Sequence, residues 1–291
     1  MATTAGAGVR TVAGGRSTAG AQRYFVRFDR IDRVMHALLM LTFIGCALTG
    51  LPLIVAHHGW AGRLAHALGG FQATMLVHRI CAGVMIAVFA AHVLRVFATA
   101  WRTGKWLEMV WGPNSMVPNL KDLQDIAGHV RWFLGKGPRP RFDRYTYWEK
   151  FDYWAVFWGM FIIGGSGLLL WFPFFFSQFL PGWIFNIATV VHGEEALLAV
   201  GFIFTIHFFN GHVRPEKFPM DPVIFTGRVS EDEMLEERGS EWDRLVKQGA
   251  LKAIETDAPS PGLKALAYAI GIPAVTLGAI TVVLIIYSFV V

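Results

Sequence analysis

Apolar residues in this chain do not alternate, nor do they recur on one face of short amphipathic segments. They gather instead into five nearly unbroken runs, over residues 34–56, 71–100, 153–176, 183–211 and 265–291. At ~1.5 Å rise per residue each run is long enough as a helix to cross the ~30 Å hydrocarbon core of a bilayer. The pattern therefore predicts an all-α integral membrane bundle: a four-helix core plus a fifth, C-terminal transmembrane helix. Pro273 predicts a kink in the fifth helix, and Pro173 an end to the third. Between the second and third runs the period changes. Leu120, Leu123, Ile126, Val130 and Phe133 recur at helical spacing beside Lys121, Asp122, Asp125 and Arg131, which predicts a short amphipathic helix lying on the inner membrane surface.

Composition sharpens this picture. The chain is 54% hydrophobic and only 16% charged, against roughly 25% charged in a soluble domain, so the surplus is lipid-facing surface. Cys46 and Cys81 both lie inside apolar runs, which excludes a disulfide scaffold, a zinc ribbon and a Cys-x-x-Cys-His haem attachment. The net charge of +5 would suit nucleic acid, but its distribution argues for topology and no nucleic-acid partner. Arg and Lys crowd the N-terminus, the 101–150 loop and the 213–263 segment, while the opposite loops carry only Arg63. The positive-inside rule then puts the N-terminus in the cytoplasm and the C-terminus outside. Residues 1–22, rich in Ala, Gly, Thr and Arg, read as a disordered cytoplasmic tail. Residues 23–212 form the four-helix domain, residues 213–263 a solvated cytoplasmic segment with an acidic run (Glu231, Asp232, Glu233, Glu236, Glu237), and residues 264–291 the fifth span.

Six of the ten histidines lie within or at the ends of the spans: His36, His78, His92, His192, His207 and His212. A polar ring inside a membrane is costly and marks function more often than packing. His78 and His92 are 14 residues apart and His192 and His207 are 15 apart, which at 100° per residue keeps each pair within roughly 40–60° on one face. Spans two and four run in the same direction, so His78 and His192 share an outer level, and His92 and His207 an inner one. Two imidazoles at each of two depths are what bis-histidine haem requires, here non-covalent haem b. Gly83 and Gly201, between the members of each pair, would let a porphyrin edge approach the backbone. Arg79, Arg33 and Arg95 are candidates for haem propionates, or, for the last two, snorkelling anchors. His36, one turn into span one, competes with His92 as the partner of His207, because helix rotation is not readable from sequence. His212, about 200° around from His192 on an ideal helix, points away from the seam and is an alternate ligand only. Six histidines would suffice for three haems, at the cost of crowding at the inner level.

The run Phe28-Asp29-Arg30-Ile31-Asp32-Arg33-Val34-Met35-His36, followed by Leu48-Thr49-Gly50, resembles span one of the formate dehydrogenase-type membrane cytochrome b subunits. Val77-His78-Arg79, Val191-His192-Gly193-Glu194-Glu195-Ala196, the stretch from Tyr145 to Trp158 and Gly227-Arg228-Val229-Ser230 extend the likeness over residues 24–240. The fragment from His207 to Met220 is closest to relatives associated with multihaem cytochromes c. The resemblance implies an outer haem on His78 and His192 and an inner haem on His36 and His207, with haem iron as the metal. It gives His92 no counterpart, and makes the 15-residue spacing to His207 one longer than it should be. It also implies a bacterial inner-membrane subunit with a quinone site beside the inner haem, at the start of span three. Matching residues are Tyr145, Thr146, Trp148, Glu149 and Lys150, with Asp152 as a second carboxylate for proton relay.

The expected function is transfer of electrons across the inner membrane between the quinone pool (menaquinone or ubiquinone) and a periplasmic partner, a multihaem cytochrome c or an iron–sulfur oxidoreductase subunit. Glu194 and Glu195, just past His192, are candidates to tune the outer haem or pair with Arg79. Two other classes compete. A proton or metal transporter would use the same histidines as a relay, but near the midplane and with broken helices or inverted repeats. A plain membrane anchor of a respiratory complex would need no matched histidines.

Overall fold

The computed structural model describes residues 22–290; the N-terminal tail, apart from its last residue, lies outside them. The chain is an all-α helical membrane bundle with five helices long and apolar enough to cross a bilayer, spanning Arg30–Ile54, Phe71–Thr103, Tyr147–Trp171, Trp183–Val213 and Pro261–Val290. They are called spans one to five. The observed starts precede the apolar runs where polar residues cap the first turn. Asp29 accepts the Asp32 amide at the head of span one. Thr146 and Glu149 form a reciprocal capping box at the head of span three, which begins six residues before the apolar run. Span five opens with Pro261 and continues through Pro273. Span three stops at Trp171, and Pro173 starts a separate short turn.

Three stretches within the spans are π-helical: Met160–Gly164 in span three, and Ile203–His207 and Phe209–Val213 in span four. A π-turn accommodates an extra residue in a helix and is frequent at functional sites. Span five packs on this part of span four, where Gly278 meets the rings of Phe204 and Phe208 without a side chain of its own. Phe204, Phe208 and Val200 form a buried cluster with Ala47 and Leu51 of span one, against which Val275 and Val282 of span five pack.

The basic segments gather at one end of the bundle, here called the basic end. The 213–263 segment is more than a solvated stretch. A strand β1 (Tyr24–Val26) lies between β2 (Arg228–Ser230) and β3 (Glu255–Thr256) in a small antiparallel sheet. Short helices Glu231–Glu237 and Gly239–Lys247 complete the cap, and Phe25, Val223, Val229 and Met234 form its buried core. The acidic run turns inward in part: Glu237 is buried and pairs with Arg214 and Lys217, and Glu233 also pairs with Lys217. Burial opposes charge on Lys217, but Asp221, Glu237 and Glu233 together raise its pKa above the ordinary lysine value.

The expected amphipathic helix forms over Leu120–Phe133 behind its own capping box at Asn119 and Asp122. Among the described residues its apolar face is left largely uncovered: Leu120, Leu123 and Phe133 are 63–77% exposed. A face of that kind next to five spans suits the membrane surface.

Candidate functional site

A single cavity of about 1430 Å³ runs through the bundle from the level of His78 and His192 to the basic end. It exceeds the roughly 300–1,000 Å³ of a cleft built for one small ligand. His36, His78, His192, His207 and His212 line it, from spans one, two and four.

At the far level, the rings of His78 and His192 lie with centroids 6.2 Å apart and planes at 79°. Neighbouring spans fix both rings through a matched pair of dipeptides. Thr49 spends its hydroxyl hydrogen on the Gly45 carbonyl at 2.6 Å, so its oxygen accepts from His78 Nδ1 at 3.0 Å. Ser166 likewise donates to the Ile162 carbonyl, and His192 Nδ1 donates to the Ile163 carbonyl at 2.9 Å. Both rings therefore carry hydrogen on Nδ1 and a lone pair on Nε2. The residue after each hydroxyl is glycine. A Cβ at Gly50 would stand 3.2 Å from His78 Cε1, and one at Gly167 would stand 2.9 Å from His192 Cε1.

This geometry fits a metal between the rings. With metal–imidazole bonds of about 2.0–2.1 Å, and a ring centroid about 1.1 Å behind its nitrogen, two ligands on opposite sides of one ion stand about 6.3 Å apart centre to centre. Hydrogen-bonded Nδ1 atoms are the usual outer support of such ligands. Among the described residues no cluster of three or more His, Cys, Asp or Glu is placed to hold a metal ion, so a metal held here would take two protein ligands, His78 and His192.

Nearer the basic end, His207 Nδ1 donates to Asp152 Oδ2 at 2.9 Å, which again frees Nε2. His36 lines the same part of the cavity and has His207 and His212 as electrostatic neighbours. His212 does not point away as the ideal helix would have it. The π-turns rewind span four so that its ring lies 6.3 Å from that of His207, within the cavity. Its Nδ1, however, accepts the Asp221 amide at 3.3 Å. Its Nε2 must then carry the hydrogen, which disfavours it as a metal ligand. The first of these π-turns, Ile203–His207, lies between His192 and His207, and both rings line the cavity.

Several expected site residues lie elsewhere. His92, placed with His207 by helical periodicity, is off the cavity, because its Nε2 is bonded to the Tyr153 hydroxyl at 3.0 Å. Arg95 is held by Asp29 and Asp32 at 2.5 Å each, and Arg33 donates to the Phe225 carbonyl at 2.6 Å, so neither faces the cavity. Arg79 does line it and lies over the Trp171 ring. Gly83 and Gly201 do not border the cavity; Gly50 and Gly167 hold the close-approach positions. Glu195 accepts from the Trp158 indole at 3.1 Å and not from Arg79, although Glu194 and Glu195 both border the cavity.

Of the span-three candidates, Tyr145, Thr146, Trp148, Glu149 and Asp152 line the cavity. Lys150 is buried against Asp122 at 2.8 Å, away from it. Thr146 and Glu149 are committed to the capping box, and Arg238 donates to both oxygens of Glu149. A cationic rim that the sequence did not reveal surrounds them: Arg27, Arg139, Arg214 and Arg238 all border the cavity. Arg27 is 3% exposed, and burial lowers its pKa to about 10, with the like charge of Arg238 adding to the shift. Phe151 and Trp154 border the cavity while 61% and 41% exposed, so it reaches the lipid-facing surface beside Asp152. No protein-family model and no curated protein matches the chain.

Proposed function

We propose that this chain is a membrane cytochrome b subunit that carries electrons through two b haems, between a quinone site at the basic end and a redox partner at the far end. One observation carries the reading: His78 and His192, from separate spans, stand a metal's width apart with both Nδ1 atoms hydrogen-bonded. When bound, haem supplies a one-electron couple at each level. His78 and His192 would hold one haem, and His36 and His207 the other; the tautomer of His212 and the position of His92 argue against these two.

The remaining residues perform more ordinary tasks. Thr49 and the Ile163 carbonyl fix ring orientation at the far level, and Gly50 and Gly167 leave room for a flat group against the rings. Arg27, Arg214 and Arg238 line the basic end of the cavity, each paired there with a glutamate: Arg27 with Glu149 and Glu241, Arg214 with Glu237 and Arg238 with Glu149. Tyr145 and Trp148 border the mouth that opens beside Phe151 and Trp154, a path by which an apolar quinone enters from lipid. The clustering of Lys and Arg in these segments supports a cytoplasmic position for this end in a bacterial inner membrane, with the partner on the other side, under the positive-inside rule. A multihaem cytochrome c or an iron–sulfur subunit is the partner class that the resemblance favours.

Purified protein should show a b-type absorption spectrum with two haems per chain. His207→Ala should remove one of them and leave the other. Colourless protein, or full haem content in His78→Ala, His192→Ala and His207→Ala alike, would overturn the reading.

A further inference from the structure

The two imidazole levels differ in what stands behind the rings. At the far level the Nδ1 acceptors are neutral, a threonine hydroxyl and a backbone carbonyl. At the other level the acceptor is the Asp152 carboxylate, 2.9 Å from His207 Nδ1. The Asp152 side chain is 16% exposed. Its other oxygen, Oδ1, is buried with no hydrogen-bond partner among the described residues. No second donor therefore disperses its charge, and His207 is its one hydrogen-bonding partner there. A carboxylate behind an imidazole fixes the tautomer and makes the opposite nitrogen a stronger donor, and hydrogen bonding behind the ligands is one of the levers that set a metal's potential.

We propose that Asp152 is a positioning residue that makes His207 the more electron-donating ligand and so lowers the reduction potential of the group held there relative to a neutral acceptor. This rests on the two-haem reading.

The test is a spectroscopic redox titration of the full-length protein in detergent, comparing wild type with Asp152→Asn and Asp152→Glu. Asparagine keeps an acceptor oxygen for His207 Nδ1 but removes the charge. The preference of one haem for the oxidised state should fall about tenfold, an upward shift of ~59 mV for a one-electron couple. The other haem should titrate as in wild type, which also shows that the bundle has folded. Asp152→Glu should return the potential toward the wild-type value. In a His78→Ala background, the wave that remains should be the one that moves.

Two unmoved waves, or two waves moved alike, would overturn the inference while leaving the two-haem reading intact. If Asp152→Asn loses one haem, Asp152→Glu must restore it; failure to do so also overturns the inference. Wild-type protein without haem would instead defeat the underlying reading.

Discussion

The two histidine levels of this bundle are built from the same residue type but by different means. At the far level, two hydroxyl–glycine pairs, Thr49-Gly50 and Ser166-Gly167, serve the two rings in nearly mirrored fashion. Each ring receives a neutral acceptor and a neighbour without a side chain. At the basic end the support is asymmetric: one ring leans on a half-buried carboxylate, another accepts a backbone amide, and arginines line the cavity. A group bound at the far level would meet neutral, close-packed supports alone. The near level combines holding with charge and an opening to lipid, which is where chemistry with a mobile substrate would be placed.

The largest effect should come from the rings themselves. His78→Ala or His192→Ala should halve the b-haem absorbance per chain, read by alkaline pyridine spectra, while the His207 level stays loaded. A chain that loses both haems in either variant would show that the levels are not separable. Next should come the glycines. Gly167→Ala places a Cβ 2.9 Å from His192 Cε1, closer than real side chains sit, so the ring or its span must move, at a cost of about 1–3 kcal/mol. Loss of far-level haem on heating should come earlier than in wild type. Gly50→Ala, with 3.2 Å to His78, should show the same effect more weakly. The reverse order would mean that the two pairs are not equivalent supports.

Thr49→Val should be milder still. It pushes no atom into the ring but leaves His78 Nδ1 without its acceptor, an unpaired buried donor costing about 1–3 kcal/mol, so haem should stay bound while its thermal retention falls. Smallest of all, His92→Ala should change neither haem content nor spectrum, because that ring belongs to Tyr153. Haem loss in this variant would return His92 to the ligand set and blur the distinction between the levels.

The five spans and the two depths of histidine were legible in the sequence because they follow from run length and residue count alone. What stayed hidden depends on rotation and local winding. Periodicity favoured His92 over His36, since a 14-residue offset says which residues share a face but not where that face points. His212 was turned away by arithmetic at 100° per residue, which fails across the π-turns of 203–213. Gly83 and Gly201 looked like the close-approach positions because they lie between histidines on one helix, yet the glycines against the rings come from spans one and three. A signal for them existed: a small hydroxyl residue followed by glycine occurs in both of those spans, at Thr49 and Ser166. The folded cap escaped notice because its strands are only two or three residues long and pair across more than 200 positions of sequence. Within this cap Glu237 of the acidic run, and Glu241 beyond it, are buried partners of arginine.

The widened turns of span four also make residue number a poor yardstick of depth. Between His192 and His207 the π-turn at Ile203–His207 winds wider than an α-helix, so the backbone rises less than an ideal α-helix of equal count. One amino acid gained or lost in that zone is therefore survivable, because winding can take up the slack. The same indel between His78 and His92, where span two is α-helical throughout, would swing everything beyond it by about 100°. Length variation among proteins of this architecture should accordingly collect in span four and spare span two.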